Sequence, residues 1–464
     1  MTASKDQETA APFPFGNWLI AALFAVCYIF SYADRQVLSI LVEPIKEELV
    51  LTDTQIGLMQ GLSFSLFYVA ASLPLAWLAD RVSRVKVISG CVAVWSGLSM
   101  ACGLAANFPQ MLGLRIGLAM TEAGLTPAAL ALLAERFDAR RLATATSMFM
   151  LAPFIGGGLA IAGGGLLLGA VERAHAAGHP LLSMIDPWRM VFVLVGAPGL
   201  LIALLVLLIR EPKGAAVSAV KLKGQGLSEL IAFLLREWRI FVLYGLAMGL
   251  TMTVLSGYIT WLPAAIMRAE GINEEQIGVA FGPIYLIAGS AGTLLAGVFI
   301  MMRRGDDPVR SILTTMIGAN FLMWPVATFG LIIPGLASKL ALMGATIFLI
   351  SCITSLSSLT FQHLTPRAMR SQALALLAMI SALLGTGLGP VLAGVMSDQF
   401  TFAEHPLSLA LSLIAGIAIP LVQLCLFIVL RRHRETRLDR EVLSPEPDAP
   451  APEGASFVTG VQTT

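Results

Sequence analysis

Ala76-Trp77-Leu78-Ala79-Asp80-Arg81-Val82-Ser83-Arg84-Val85-Lys86 joins two long apolar blocks, residues 56–79 and 87–106. A link this short and this basic, between blocks of about 20 residues, reads as the turn between two bilayer-spanning helices. Similar blocks extend outward on both sides. They give twelve spans, at about 18–41, 56–79, 87–106, 109–134, 143–169, 188–209, 239–267, 276–302, 309–333, 339–362, 371–397 and 406–430. The 464-residue chain is 57% hydrophobic and 13% charged, with a mean hydropathy of +0.81. Soluble domains carry about 25% charged residues, so the composition excludes a soluble enzyme and implies an all-α integral membrane protein. Unsatisfied backbone cannot face lipid, so the spans are expected to be helices packed as a bundle.

Lysine and arginine in the links set the expected orientation. With both termini in the cytoplasm of a cell bounded by this inner (plasma) membrane, 23 basic residues lie inside and five outside (Lys46, Arg173, Arg189, Arg268, Lys339). The longest internal link, about 210–238, separates the sixth span from the seventh. It divides the chain into an N-terminal six-helix bundle, 18–210, and a C-terminal one, 239–430. Residues 1–17 form a cytoplasmic tail, 211–238 a cytoplasmic linker, and 431–464 a second tail, read as disordered from Ser444 by its Pro, Asp and Ala content. Leu227–Leu235 within the linker has the pattern of a short amphipathic helix lying on the membrane surface, or of an early start to the seventh helix. Met1–Gly16 has no basic n-region and the block after it is too long for a signal segment, so an uncleaved first helix is expected. Cys27, Cys91, Cys102, Cys352 and Cys425 have no paired spacing and read as packing residues. No metal or cofactor is implied. The net charge of +1 gives no reason to expect nucleic acid.

Four ionisable residues lie well inside the spans: Asp34 and Arg35 in the first, Arg115 and Glu122 in the fourth. Charge at membrane depth is costly and marks function. Arg115, Ala119, Glu122 and Thr126 share one helix face. Asp34 and Arg35 point about 100° apart on a helix, so each needs a partner across an interface. At 1.5 Å per residue, Glu122 lies roughly 20 Å and Arg115 roughly 9 Å from the outer end of the fourth span. Arg35 with Glu122 is the favoured pair, leaving Asp34 to Arg115 or Arg35. Burial raises the proton affinity of a carboxylate and a neighbouring arginine lowers it. A movable arginine therefore couples a conformational change to proton uptake, with Asp34 and Glu122 as proton sites and Arg35 and Arg115 as gating or substrate-binding groups. The alternative is a set of static salt bridges. The second half has no such residue, only hydroxyls among apolar side chains: Thr251, Thr253, Ser256, Tyr258, Thr260, Ser351, Thr354, Ser355, Ser357 and Ser358.

The Ala76–Lys86 link resembles the cytoplasmic G-x-x-x-D-R-x-G-R-K motif of the major facilitator superfamily. Ala76 and Ser83 replace its glycines and Val85 one basic residue. The resemblance implies twelve helices as two six-helix bundles and a cytoplasmic latch. In it Asp80 faces the start of the eleventh helix near Ser371, and Arg81 and Arg84 pair with Glu135 or Asp138; anchoring of the basic side alone is the alternative. Trp188-Arg189, Arg115-Ile116-Gly117-Leu118-Ala119 and the degenerate repeat Arg303-Arg304-Gly305-Asp306-Asp307 agree with the superfamily. Pro153 precedes the glycines of the fifth helix, so the antiporter G-P motif is not met. Those glycines, and the run before Pro390, permit close helix crossing and a hinge at Pro390, and read mainly as packing positions. Tyr32-Ala33-Asp34-Arg35, Leu51-Thr52-Asp53-Thr54-Gln55-Ile56-Gly57, Arg115–Ala123 and Trp261-Leu262-Pro263 further resemble the Spinster family. There the matching acids are implicated in proton coupling and the matching arginine in gating, and eukaryotic members export lysolipids.

These readings imply a proton-coupled secondary transporter, not an enzyme, moving an amphiphilic or lipid-like molecule outward by alternating access. Its partners would be a small-molecule substrate, protons and membrane lipid, and it would act as a monomer. The alternative is an uptake symporter for an organic anion or other small metabolite, with Arg35 and Arg115 gripping a carboxylate. A membrane receptor would predict an appended signalling domain, which the chain lacks.

Overall fold

The computed structural model describes residues 15–178, 185–210, 227–303, 307–366 and 370–443; for Phe15, Asp80, 139–140, 227–231, 370–372, 375 and 436–443 only the backbone is described. The described residues form helices and no strands. Twelve stretches are long and apolar enough to cross a bilayer. They comprise α1 (Phe15–Ile40), α3 (Asp53–Gln60) with α4 (Leu62–Arg81), α5 (Arg84–Cys102), α6 (Phe108–Glu122) with α7 (Leu125–Arg136), α8 (Ala139–Ala176) and α9 (Pro187–Leu207). The second half has α11 (Trp238–Glu270), α12 (Glu274–Met302), α13 (Pro308–Phe329), α14 (Leu336–Leu364), α15 (Arg370–Ile380) with α16 (Gly387–Gln399), and α17 (Pro406–Leu443). Two short helices are extra: α2 (Val42–Leu49) follows α1, and α10 (Leu227–Arg236) is separate from α11, with Phe233 edge-on to Phe241 at 5.3 Å. Of the tails expected at 1–17 and 431–464, residues 1–14 and 444–464 lie outside the described residues, as does 211–226 of the linker, while 15–17 belong to α1 and the helix α17 continues through 431–443.

Three spans are broken; only in the eleventh is a break expected, as a hinge at Pro390, and it falls earlier, at Ser381–Thr386. The fourth stops at Ala123-Gly124. Pro127 has no N–H for the carbonyl of Ala123, which weakens the ladder there. A Cβ on Gly124 would stand 2.7 Å from the Cys91 sulfur, so the break sits tight against α5. The second span breaks at Gly61. The eleventh passes through a π-helical turn, Ser381–Thr386. Its wide turn leaves carbonyls that α11 takes up: Thr253 Oγ1 donates to Leu384 O (3.0 Å) and Ser256 Oγ to Gly385 O (2.9 Å). Pro390 cannot donate either, and Trp261 Nε1 donates to its carbonyl at 2.8 Å.

The two halves meet along α8 and α12 and at the end opposite the basic turns, here the far end. Glycines bring α8 and α12 to backbone contact. A Cβ on Gly165 would stand 2.3 Å from Glu274 O, and one on Gly278 2.7 Å from Ile161 O. At the far end Arg268 of α11 forks onto Asp53 of α3 (2.6 and 2.9 Å) and donates to Glu43 of α2 (2.8 Å). Asp53 also accepts from Lys46 (2.6 Å) and Ser397 (2.7 Å). Asp398 of α16 caps α3 by accepting from the backbone N of Asp53 (3.0 Å) and Thr54 (2.8 Å). Gly57, Gly61 and Gly394 let α3 and α16 approach to backbone contact. The far end is closed.

Candidate functional site

Below this roof lies a cavity of about 150 Å³ between the halves. The first half contributes Tyr32, Arg35, Gln36, Gln60, Phe64 and Arg115; the second contributes Met252, Leu255, Ser256, Ile259, Thr260, Thr386 and Pro390. One wall is cationic and aromatic, the other apolar with hydroxyls. No carboxylate is among the lining residues.

α1 carries Asp34 and Arg35 about 100° apart, as adjacent helical positions require, so they meet different neighbours. Arg35 Nε donates to Glu122 Oε2 at 2.5 Å, and Ser31 Oγ donates to the same oxygen at 3.0 Å. Glu122 Oε1 is buried with no hydrogen-bond partner among the described residues. The Arg35 guanidinium stands over three rings: Phe64 at 4.6 Å, Tyr68 at 4.9 Å and Tyr32 at 5.1 Å. Asp34 points elsewhere, and its Oδ1 accepts from Ser99 Oγ of α5 at 2.5 Å. Arg115 reaches the backbone carbonyl of Asp34, at 3.3 Å, not its carboxylate, and its Nε is buried without a partner among the described residues. Asp34, Arg115 and Glu122 are each at most 2% exposed. The four charges thus gather in one place. Arg35 meets Glu122 as expected, whereas Asp34 has a serine where an arginine was expected. The two acids stand behind the arginines and away from the cavity surface.

Ser31, Ser99, Phe64 and Tyr68 escaped the sequence reading. Phe64 and Tyr68 lie four residues apart and share a face of α4, a signal available in the sequence. Ser99 gives none, because one serine in an apolar helix looks like any other. Of the hydroxyls noted in the second half, Ser256 and Thr260 reach the cavity, joined by Thr386. Most others bond to helix carbonyls: Thr251 to Ala247 O, Ser357 to Thr354 O and Tyr258 to Ala327 O.

At the basic end Arg84 pairs with Glu135, while Arg81 lies over the Trp77 ring at 3.8 Å. Asp138 caps α8 by accepting from the backbone N of Arg141 at 2.9 Å. The side chain of Asp80 and that of Ser371 lie outside the described residues. Among the described residues no group of three or more His, Cys, Asp or Glu is placed to hold a metal ion.

Known proteins match this architecture. An efflux pump of the major facilitator type from Mycolicibacterium smegmatis is 28% identical over 433 residues, covering 91% of this chain and 94% of the pump. A probable L-galactonate transporter of Escherichia coli is 25% identical, covering 69% of this chain and 70% of that protein. A crystal structure of a bacterial homologue of the human lysosomal transporter Spinster, inward-facing and unoccupied, superposes with a TM-score of 0.77. It is 23% identical, covering 92% of this chain and 99% of that one, and so supports the fold. The sequence model of the Major Facilitator Superfamily matches residues 24–390. Twelve helices in two bundles around a charged central cavity, under a match of that length, establish that the chain belongs to the Major Facilitator Superfamily of membrane transporters.

Proposed function

We propose that this transporter is proton-coupled and exports an amphiphile with an anionic head across the inner (plasma) membrane, with both termini in the cytoplasm. The observation that carries this reading is the two-sided cavity. Arg35 and Arg115 line one wall with no acid at the cavity surface, and Met252, Leu255, Ile259 and Pro390 line the other. An anionic head satisfies the arginines; an apolar body removes the opposite wall from water. Asp34 and Glu122 are the proton sites in this reading, and Arg35 is the movable cation that joins them to the substrate. The Arg84–Glu135 pair, with Asp80, Arg81 and Asp138, forms the latch that would close the basic end when the far end opens. The six-helix units 18–210 and 239–430 move as the two bodies.

A second reading has one specific observation in its favour. Glu122 and an anionic head compete for the same Arg35 guanidinium, so a proton on Glu122 frees Arg35 for the head. Proton and anion then bind together, which is symport and suits uptake of an organic anion. Export requires that they bind in alternation. Affinity against pH decides, because coupling between two ligands is reciprocal. Binding of a lysophosphatidic acid and of a small dicarboxylate is measured on the purified chain between pH 5.5 and 8. Export predicts that the amphiphile binds more weakly as pH falls; symport predicts tighter binding of its anion. Affinity independent of pH for both ligands refutes proton coupling. So does an Asp34→Asn, Glu122→Gln protein with the pH dependence of the wild type.

A further inference from the structure

α12 and α13 are consecutive, yet they hardly touch; each packs on α14. Between them runs a groove with α14 as its floor, about 780 Å³ in volume, on the outside of the second half and separate from the central cavity. Its walls are Leu295 and Phe299 of α12 and Phe321 and Leu322 of α13, each at least half exposed. Arg303 closes its basic end. That guanidinium is held from one side, with Nη1 donating to Thr314 Oγ1 and Thr315 Oγ1, both at 3.1 Å. Its Nε and Nη2 have no partner among the described residues.

The groove extends from Arg303 to Leu295, eight residues of α12 or about 12 Å. One leaflet of a bilayer is about 15 Å of hydrocarbon. A cation fixed at headgroup level, above an apolar trough one leaflet deep, is complementary to a lipid and not to a soluble anion. We propose that this groove binds one anionic phospholipid of the leaflet on the basic side. Its phosphate sits on the free edge of Arg303 and its acyl chains lie against Phe299 and Phe321.

Gly318 offers a direct test. It lines the groove, and a Cβ added there meets nothing within 4 Å, so Gly318→Phe fills the trough without disturbing the packing. The full chain is purified in detergent, equilibrated with equal phosphatidylglycerol and phosphatidylcholine, and its bound lipid counted by native mass spectrometry. The wild type retains one lipid and prefers phosphatidylglycerol. Arg303→Gln lowers that preference about fivefold, the weight of one interfacial cation, and Arg303→Lys keeps it. Gly318→Phe loses the lipid of either kind while its melting temperature holds. An undiminished preference in Arg303→Gln overturns the proposal, as does an undiminished lipid count in Gly318→Phe.

Discussion

Arg268→Ala should open the far end. Arg268 is the cation through which α11 holds α2 and α3, by three hydrogen bonds of 2.6–2.9 Å to Asp53 and Glu43. The Asp53 side chain is 3% exposed and the Arg268 side chain 26%. Removing one partner of a buried, hydrogen-bonded charge pair costs about 2–5 kcal/mol. Asp53 keeps Lys46 and Ser397, and Arg268 is partly hydrated, so the low end applies, ~2 kcal/mol against the closed state. That is about a 30-fold shift toward the open far end, since 1.36 kcal/mol is tenfold. The molecule carries its own reporters. The backbone N–H groups of Asp53 and Thr54 donate across the halves to Asp398, so they exchange with solvent when the roof parts. Hydrogen exchange followed by mass spectrometry should show these amides exchanging about 30-fold faster in Arg268→Ala, with amides in the middle of α8 unchanged. In an Asp53→Asn background the same substitution should add little. If exchange at Asp53 and Thr54 is unaltered in a folded Arg268→Ala protein, the roof does not depend on this fork.

In proteoliposomes, Asp34→Asn and Glu122→Gln should each reduce proton flux per substrate moved; two variants that both carry the wild-type proton flux would remove these acids from the coupling. Ser99→Ala deletes the hydroxyl bonded to the buried Asp34 carboxylate, which should cost about 1–3 kcal/mol and appear as a lower melting temperature. Gly165→Val presses a side chain against the backbone of Glu274, where the Cβ alone would stand 2.3 Å from the carbonyl. Overpacking of that kind costs about 1–3 kcal/mol, so thermal stability should fall. Gly163→Val, on the same helix with open space at its Cβ, should be tolerated.

The spans were legible because hydropathy over 20 residues is a property of the chain alone. So was the choice of Arg35 for Glu122, since few charges lie deep in a span and each needs a partner. The breaks at Gly61, Ala123-Gly124 and Ser381–Thr386 were not. At Gly61, Ser63 of the same span bonds the carbonyls of Leu58 and Met59, whereas at Ser381–Thr386 a neighbouring helix compensates for backbone groups that the span's own ladder leaves free, as Thr253 and Ser256 do for Leu384 and Gly385. Such compensation belongs to the pair of helices and has no signature in either one. The partner of Asp34 was misjudged for a related reason. Depth estimates from a straight helix gave Arg115 the right level, but the side chain turns to the carbonyl of Asp34, and a serine from α5 takes the carboxylate. Lys339, counted among the outer cations, is 4% exposed and paired with Glu270, a contact that charge counting cannot see.

The arrangement around Arg35 bears on how tightly substrate and proton would be tied in the proposed cycle. Arg35 leaves Glu122 only by exposing a fully buried carboxylate with one oxygen already unpartnered. An uncompensated buried charge of that sort costs about 3–5 kcal/mol. A state with Arg35 displaced, Glu122 ionised and no proton bound is therefore suppressed roughly 150- to 5,000-fold, at 1.36 kcal/mol per tenfold. The three rings around the guanidinium add to this, because a cation leaving an aromatic face loses about 0.5–2 kcal/mol. Slippage is then rare without any mechanical gate. The same reasoning identifies the substitution that would uncouple the transporter while leaving it folded. Glu122→Gln removes the buried charge, so Arg35 can move at little electrostatic cost whether or not a proton is available. Substrate exchange should continue in that variant while proton-driven accumulation is lost. If accumulation and exchange fall together, Glu122 holds the bundle in shape and the proton is carried elsewhere.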